Sequence, residues 1–296
     1  SNIELFHGVY HPQDYEYLSS LSFNKLFYHK YFKAVIYQLF INQSVLFMNL
    51  HGATEVLGPE VKTADVILRP IPITLNEYQD QVKKIEPERK IICVSRFAAF
   101  KIGAVVAFLR FARQRKDVRC TLVGHGSFEW LVRCLIKLWS IKNITVYNDV
   151  APHELYAMVI ENDIGYAQGT SILEIAKFGI PVIIAPYSRL KDIFNPKFST
   201  YGIFGFVQKQ FEFGDLVYFK GAPSVSLESA FNNIFFDYER FRDGTLIAVK
   251  RFESKSIFKK ITQDISLGSI SLRKTPKITI KPPIIKQVMS DIKKLY

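Results

Sequence analysis

Ile91-Ile92-Cys93-Val94, Cys120-Thr121-Leu122-Val123, Ile144-Thr145-Val146-Tyr147, Asp163-Ile164-Gly165-Tyr166 and Pro181-Val182-Ile183-Ile184 punctuate residues 90–186 as short apolar, β-branched runs. Between them lie longer stretches of helical periodicity, at 102–115, 127–141, 152–161 and 170–178. On that pattern the runs are strands and the stretches are helices. Strands joined by a helix each time lie parallel, because a parallel pair needs a crossover, and near-continuous apolar strands imply a sheet covered on both faces. The expected fold class is α/β, with a doubly wound parallel sheet of the nucleotide-binding kind.

Upstream, residues 44–48 and 65–73 are also strand-like, the second closing on Arg69-Pro70-Ile71-Pro72. Each proline removes a ladder donor and biases its predecessor toward extended backbone, so this pair marks a hinge. The polar stretch 76–89 continues it as a linker. Downstream, residues 191–296 are rich in Phe and Lys, with a turn expected at Asp243-Gly244 and a break at Pro282-Pro283. The expected division is a front portion at 1–75, a linker at 76–89, the sheet domain at 90–190 and a helical or irregular extension at 191–296.

A chain of 296 residues with 48% apolar residues has the size and composition of about two globular domains, which excludes disorder. The longest apolar stretch, 34–50, is interrupted by Gln38, Asn42, Gln43 and Ser44. It falls short of the ~20 clean residues that a bilayer crossing needs, so a soluble protein is expected. Cys93, Cys120 and Cys134 are an odd set without paired spacing, which fits a reducing compartment. No basic stretch leads into an apolar one at the start, so no export signal is visible, and the chain opens on Ser1-Asn2 without Met, as a fragment would.

The formal net charge of +12 suits nucleic acid, an anionic membrane or an acidic substrate. The cations Lys250, Arg251, Lys255, Lys259, Lys260, Arg273, Lys274, Lys277 and Lys281 are scattered among Ile, Phe and Pro. No recognition helix, zinc-finger spacing or stacking-aromatic signature accompanies them, so nucleic acid is not an expected partner.

Ligands bind a doubly wound sheet where its strands end. After the first strand, Ser95-Arg96-Phe97-Ala98-Ala99-Phe100-Lys101 sets two cations at the mouth of the sheet, a pairing that suits a diphosphate or else simply faces solvent. After the second comes Gly124-His125-Gly126-Ser127, where glycines permit close approach of a ligand, or merely a tight turn. The third ends on Asn148. After the fourth, Gly169-Thr170-Ser171 would aim backbone amides at a phosphate, with Glu174 one turn in to accept from ribose hydroxyls. Ser171-x-x-Glu174 is equally a capping box. There is no Asp-x-Asp pair, no His/Cys zinc spacing, no GxGxxG at the first turn and no GxxxxGK[ST]. Metal, nicotinamide, flavin and P-loop chemistry are therefore not expected.

Together, Arg96 with Lys101, the Gly-His-Gly turn, Ile144 to Asn148 followed by Pro152-His153-Glu154-Leu155, and GTSxLE…GxPVI resemble the donor-binding half of GT-B glycosyltransferases of family 4 type. The likeness is strongest to those of bacterial O-antigen and capsule biosynthesis. Gly8-Val9-Tyr10-His11-Pro12, Val45 to Asn49 and Thr200-Tyr201-Gly202 extend it over residues 7–215.

The resemblance implies two Rossmann-like domains, residues 1–75 being a remnant of the acceptor-side one, and transfer of a sugar from a nucleotide diphosphate donor to a glycan or lipid-linked acceptor. It implies no essential metal and no cofactor beyond the donor itself. Arg96 and Lys101 would neutralise the departing diphosphate, and Glu174 would hold the ribose. Gly124, His125, Gly126, Asn148, Gly169, Thr170 and Ser171 would line the donor, and His7 or His11 would sit at the sugar. One position departs from the pattern: the family's E-x7-E pair keeps Glu174 but has Tyr166 in place of the first carboxylate.

The location this implies is cytoplasmic, at the inner membrane face. Trp130, Arg133, Lys137 and Trp139 would rest there on anionic lipid. A non-catalytic sugar-nucleotide-binding or partner-binding subunit, and a GT-B-type sugar-nucleotide epimerase, remain open alternatives.

Overall fold

The computed structural model describes residues 7–9, 45–47, 53, 57, 67–68, 72–75, 89–99, 101–186, 200, 202–207 and 225–266. His11, residues 76–88, Pro282-Pro283 and the cations from Arg273 onward lie outside the described residues. The chain forms two compact units, Ser1–Pro70 with Lys259–Tyr296, and Ile71–Phe258.

In the first unit, β1 (His7–Val9), β2 (Val45–Phe47) and β3 (Ile67–Leu68) form a parallel sheet in the order β1-β2-β3. His7 opens β1 opposite Val45, and Phe47 is fully buried.

The second unit is built on β4 (Lys90–Val94), β5 (Arg119–Val123), β6 (Ile144–Tyr147), β7 (Ile164–Ala167), β8 (Val182–Ile184) and β9 (Gly202–Ile203). Their order is β6-β5-β4-β7-β8-β9, parallel except for the antiparallel edge strand β9. The unit's helices are α1 (Ile102–Gln114), α2 (Glu129–Leu138), α3 (Pro152–Ile160) and α4 (Thr170–Ala176), then α5 (Leu227–Phe236) and α6 (Tyr238–Lys250), and α7 (Ser254–Ser266) starts in it. The chain runs outward from β4 through β5 to β6, then returns to β4's other side at β7 and runs outward again. This is the doubly wound order, with its switch point between β4 and β7.

Alternation along the strands sends successive side chains to opposite faces. Ile91, Cys93, Cys120, Leu122, Ile164, Tyr166 and Ile183 join one core with Phe108 and Leu109 of α1, Val132 of α2 and Phe231 of α5. Each Ile, Leu, Val or Phe among them, fully buried, contributes about 1.5–3 kcal/mol. The opposite face takes α4: a Cβ on Gly165 would stand 2.7 Å from Ile175 Cγ2, so only glycine lets that helix lie so close to β7. Asp163 fixes the start of β4, accepting from Lys90 N–H at 2.8 Å. Pro152 opens α3, and Glu154 Oε2 accepts from the Ala151 amide at 3.0 Å.

Two expectations are corrected. Asp243-Gly244 is not a turn but the middle of α6. Its glycine answers to packing, since a Cβ there would meet the Phe206 ring at 2.3 Å. Trp139 does not share a face with Trp130: it ends α2 and packs toward the core under Arg113, while Leu138 stands exposed instead. Cys93 and Cys120 are buried strand residues and Cys134 is exposed. No helix of the described residues is long and apolar enough to cross a membrane.

Candidate functional site

The parallel strands end along one edge of the sheet, where the turns after β4, β5, β6 and β7 come side by side. The β4 turn is stitched to the β5 turn by main-chain bonds. Ser95 N–H donates to Val123 O at 3.0 Å, Phe97 N–H to His125 O at 2.8 Å and Phe128 N–H to Phe97 O at 2.9 Å. Phe97 is fully buried beneath them. Arg96, between two anchored neighbours, is exposed and makes no ion pair among the described residues.

That stitching accounts for the Gly-His-Gly turn. A Cβ on Gly124 would stand 1.9 Å from Ser95 O, and one on Gly126 2.7 Å from Phe97 O. Both glycines exist so that the β5 turn can lie against the β4 turn. Gly169 is different. It caps α4 with φ 66 and ψ −139, a conformation nearly reserved for glycine, and a Cβ there would meet nothing within 4 Å. It stands at the switch point, beside the β4 turn, with open space above it.

Lys101 is the residue from which α1 springs, with no side-chain cap there. Its ammonium is held below the ordinary lysine pKa, first by burial and then by the Arg96 charge, with Cys93 opposing. Arg96 and Lys101 are thus electrically coupled at the amino end of a helix, which already carries partial positive charge. An anion placed there meets three favourable fields at once.

The capping-box alternative for Ser171 and Glu174 is not what forms. Gly169 is the N-cap and no side chain caps α4. Glu174 Oε2 instead accepts from Lys177 Nζ at 2.5 Å. Thr170 is exposed and Ser171 half-buried in the first turn of α4, where amides lack a helical acceptor. Tyr166, in the first carboxylate position, is a core residue. Its ring stacks on Phe108 at 5.9 Å and its hydroxyl is buried without a hydrogen-bond partner among the described residues. Burial pushes that phenol far up, so it stays protonated.

At the outer turns, Asn148 Nδ2 donates to Glu129 Oε1 at 2.6 Å, and Arg133 binds the same oxygen at 2.8 Å. His125 Nδ1 lies 3.3 Å from Asp149 Oδ1, both exposed. The edge therefore brings together Arg96, Lys101, the Gly-His-Gly turn, Asn148 and the Gly169–Glu174 segment. His7 belongs to the first unit and is described there alone. Glu129, Asp149 and Lys177 were not singled out from sequence. Lys177 carried a visible signal, since it stands one helical turn after Glu174. Among the described residues no group of three or more His, Cys, Asp or Glu side chains is placed to hold a metal ion.

No family model matches the sequence, and no curated protein is similar to it in sequence. Solved structures share its architecture. The glycosyltransferase from Rickettsia africae ESF-5 aligns at 13% identity and a TM-score of 0.54, over 81% of this chain and 66% of its own. The apo form of the lipopolysaccharide outer core galactosyltransferase WaaB aligns at 16% identity and a TM-score of 0.50, over 75% and 61%. The fold is GT-B. The chain spans less than two thirds of the length of these two GT-B proteins. Ile71–Phe258 contains the doubly wound sheet that carries the Arg96, Lys101 and Glu174 edge.

Proposed function

We propose that the chain is a glycosyltransferase, of family 4 type, or its donor-binding part, moving a sugar from a nucleotide diphosphate donor to a glycan or lipid-linked acceptor in cell-envelope polysaccharide assembly. The observation that carries the reading is the coupled Arg96–Lys101 pair at the switch-point edge. Breaking the donor's glycosidic bond leaves both bonding electrons on the diphosphate. Two cations beside the amino end of α1 stabilise that growing charge, and a metal is then not required. Gly169, with open space over it, lets the chain approach the phosphates. Glu174 accepts from the ribose, and the Asn148–Glu129 pair faces the nucleotide's outer end. The envelope setting draws on the resemblance of residues 7–215. Membrane contact draws on α2, whose Trp130 and Leu138 are 62% and 75% exposed beside Arg133 and Lys137.

A thermal-shift panel of UDP, GDP and ADP and their sugars tests donor binding, because a ligand bound only by the folded state raises its stability logarithmically with saturation. One of them should stabilise the protein, and R96M and K101M should each remove most of that shift. No shift with any of them rejects the reading. Tyr166 favours one second reading, a non-catalytic sugar-nucleotide-binding subunit, because the position that carries a carboxylate in the family is closed inside the core here. Binding without hydrolysis or transfer would select it.

A further inference from the structure

Lys177 is an unusual lysine. Its side chain is 6% exposed, its ammonium lies 2.5 Å from Glu174 Oε2, and it sits 3.9 Å from the centre of the Tyr156 ring, with the Phe178 ring at 5.3 Å. Tyr156 and Phe178 are themselves packed together at 5.4 Å. A buried ammonium is costly unless paired and seated on polarisable surface. Both conditions are met here by specific neighbours, so the position of Nζ is determined by α3 and the end of α4. Glu174 is 40% exposed and has three rotatable bonds. Left to itself it would wander among rotamers at the mouth of the sheet.

We infer that Lys177 is a positioning residue for Glu174: it occupies one carboxylate oxygen and thereby fixes the other to receive the hydroxyl groups of a nucleotide's ribose. The inference rests on the donor-site reading above. The carboxylate has room for both tasks, because Oε2 takes the ammonium and Oε1 keeps its lone pairs. Lys177 serves from behind, in the core, and Glu174 meets the ligand from the front. The pair also sets the charge of the site. With Lys177 in place, Glu174 brings no net negative charge to a diphosphate pocket, so ribose recognition does not oppose phosphate binding.

The test measures ribose selectivity, the ratio of dissociation constants for the 2′,3′-dideoxy and the ordinary nucleoside diphosphate, by calorimetry on the full chain. The probe is whichever of UDP, GDP and ADP stabilises the protein. The wild type should show a ratio of roughly tenfold or more, the usual size of a hydrogen bond to a charged group. In E174M, which keeps the length but has no oxygen to accept from the ribose, the ratio should fall toward one. In K177M, which keeps the length and apolar stem, it should fall as far, and E174M/K177M should lose nothing more. If E174M loses selectivity while K177M keeps it, Lys177 merely packs and the inference is overturned. If E174M keeps selectivity, Glu174 is not the ribose residue, and the donor-site reading loses that contact together with this inference. Should K177M fail to fold, Tyr156→Leu, which strips the ring beneath the ammonium, must lower the ratio partway; an unchanged ratio overturns the proposal.

Discussion

Glycines of identical appearance in the sequence do different jobs, and single substitutions separate them. Gly124→Ala drives a methyl group to 1.9 Å from the Ser95 carbonyl, backbone against backbone, with no flexible side chain to yield. Denaturant unfolding should show a loss of about 3 kcal/mol or more, at or beyond the upper end of overpacking costs. Gly169→Ala meets no neighbour but must hold φ at 66. It should lose only ~1–3 kcal/mol through backbone strain, yet weaken nucleoside diphosphate binding at least as much as R96M does. Equal binding by wild type and Gly169→Ala would show that the open space at this turn is not used. Lys101 supplies a pH signature. Burial first, then Arg96, lowers its pKa in the free protein, and a diphosphate bound beside it would raise it again. Affinity should therefore be level below the free-protein value and decline as pH climbs through it toward the higher value of the complex. Calorimetry from pH 8 upward should show this decline in the wild type and not in K101M. A wild-type profile parallel to that of K101M would mean that the ammonium does not meet the anion.

At the scale of elements, Arg115 and Asp117 tie the far edge of the sheet together. Arg115 donates to Asp117 at 2.9 Å and to Asn232 of α5 at 2.9 Å, its guanidinium lies 5.2 Å over Phe231, and Arg89 donates to Asp117 at 2.7 Å. The Arg115 hydrogen bond, the largest influence, holds the Asp117 carboxyl well below its ordinary value near 3.8; burial opposes it, and the Arg89 hydrogen bond adds to the lowering. A depressed carboxyl stabilises fully above that ordinary value, and its contribution is lost as pH falls below it. Since Asp117 is 48% exposed, solvent screening limits the effect to about 1 kcal/mol or less. D117N should flatten the stability profile below pH ~4 by that amount, as read by urea midpoints, and leave it unchanged at neutral pH apart from a constant offset. The strands and helices of residues 90–186 were legible because β-branched runs and helical periodicity report burial, which the doubly wound sheet imposes on every strand. Observed ends shift by at most about a turn: β7 is Ile164–Ala167 for an expected 163–166, and α2 is Glu129–Leu138 for 127–141. α5 and α6 were not legible. Their apolar faces are interrupted by exposed Phe236 and Ile247, and Gly244 serves a contact with Phe206 that is distant in sequence. Lys177 was legible only as a spacing from Glu174, because spacing alone does not tell a lysine seated on Tyr156 from one in solvent. Spacing also left the capping box standing beside the Gly169 cap, since the two differ only in backbone conformation.

Over the whole molecule, the chain passes between its units at two points, before Ile71 and after Phe258. Within the second unit the segments leading to those points lie in register: Ile73 N–H donates to Phe252 O, and Ser254 N–H to Ile73 O, both at 2.8 Å, with Ile73 and Phe252 buried. The parallel bridge Ile73↔Glu253 thus closes the second unit on itself from the inside. A unit with its own sheet, its core residues from β4 to α6 and its ends clasped together meets the requirements for independent folding. Ile71–Phe258 produced alone should therefore unfold in one cooperative transition and bind the same nucleoside diphosphate as the full chain, within about tenfold, because Arg96, Lys101, Gly169 and Glu174 all lie inside it. Circular dichroism melts and calorimetry check both halves of this expectation. Cooperative folding without nucleotide binding would show that the residues of Ile71–Phe258 do not suffice to bind it. A broad, non-cooperative melt would show that the Ile73 clasp does not suffice to complete the core. Ile73→Pro, which deletes the donor to Phe252 and with it one side of the clasp, should broaden the melt of the isolated unit, and an unchanged melt would remove the clasp from the account of its stability.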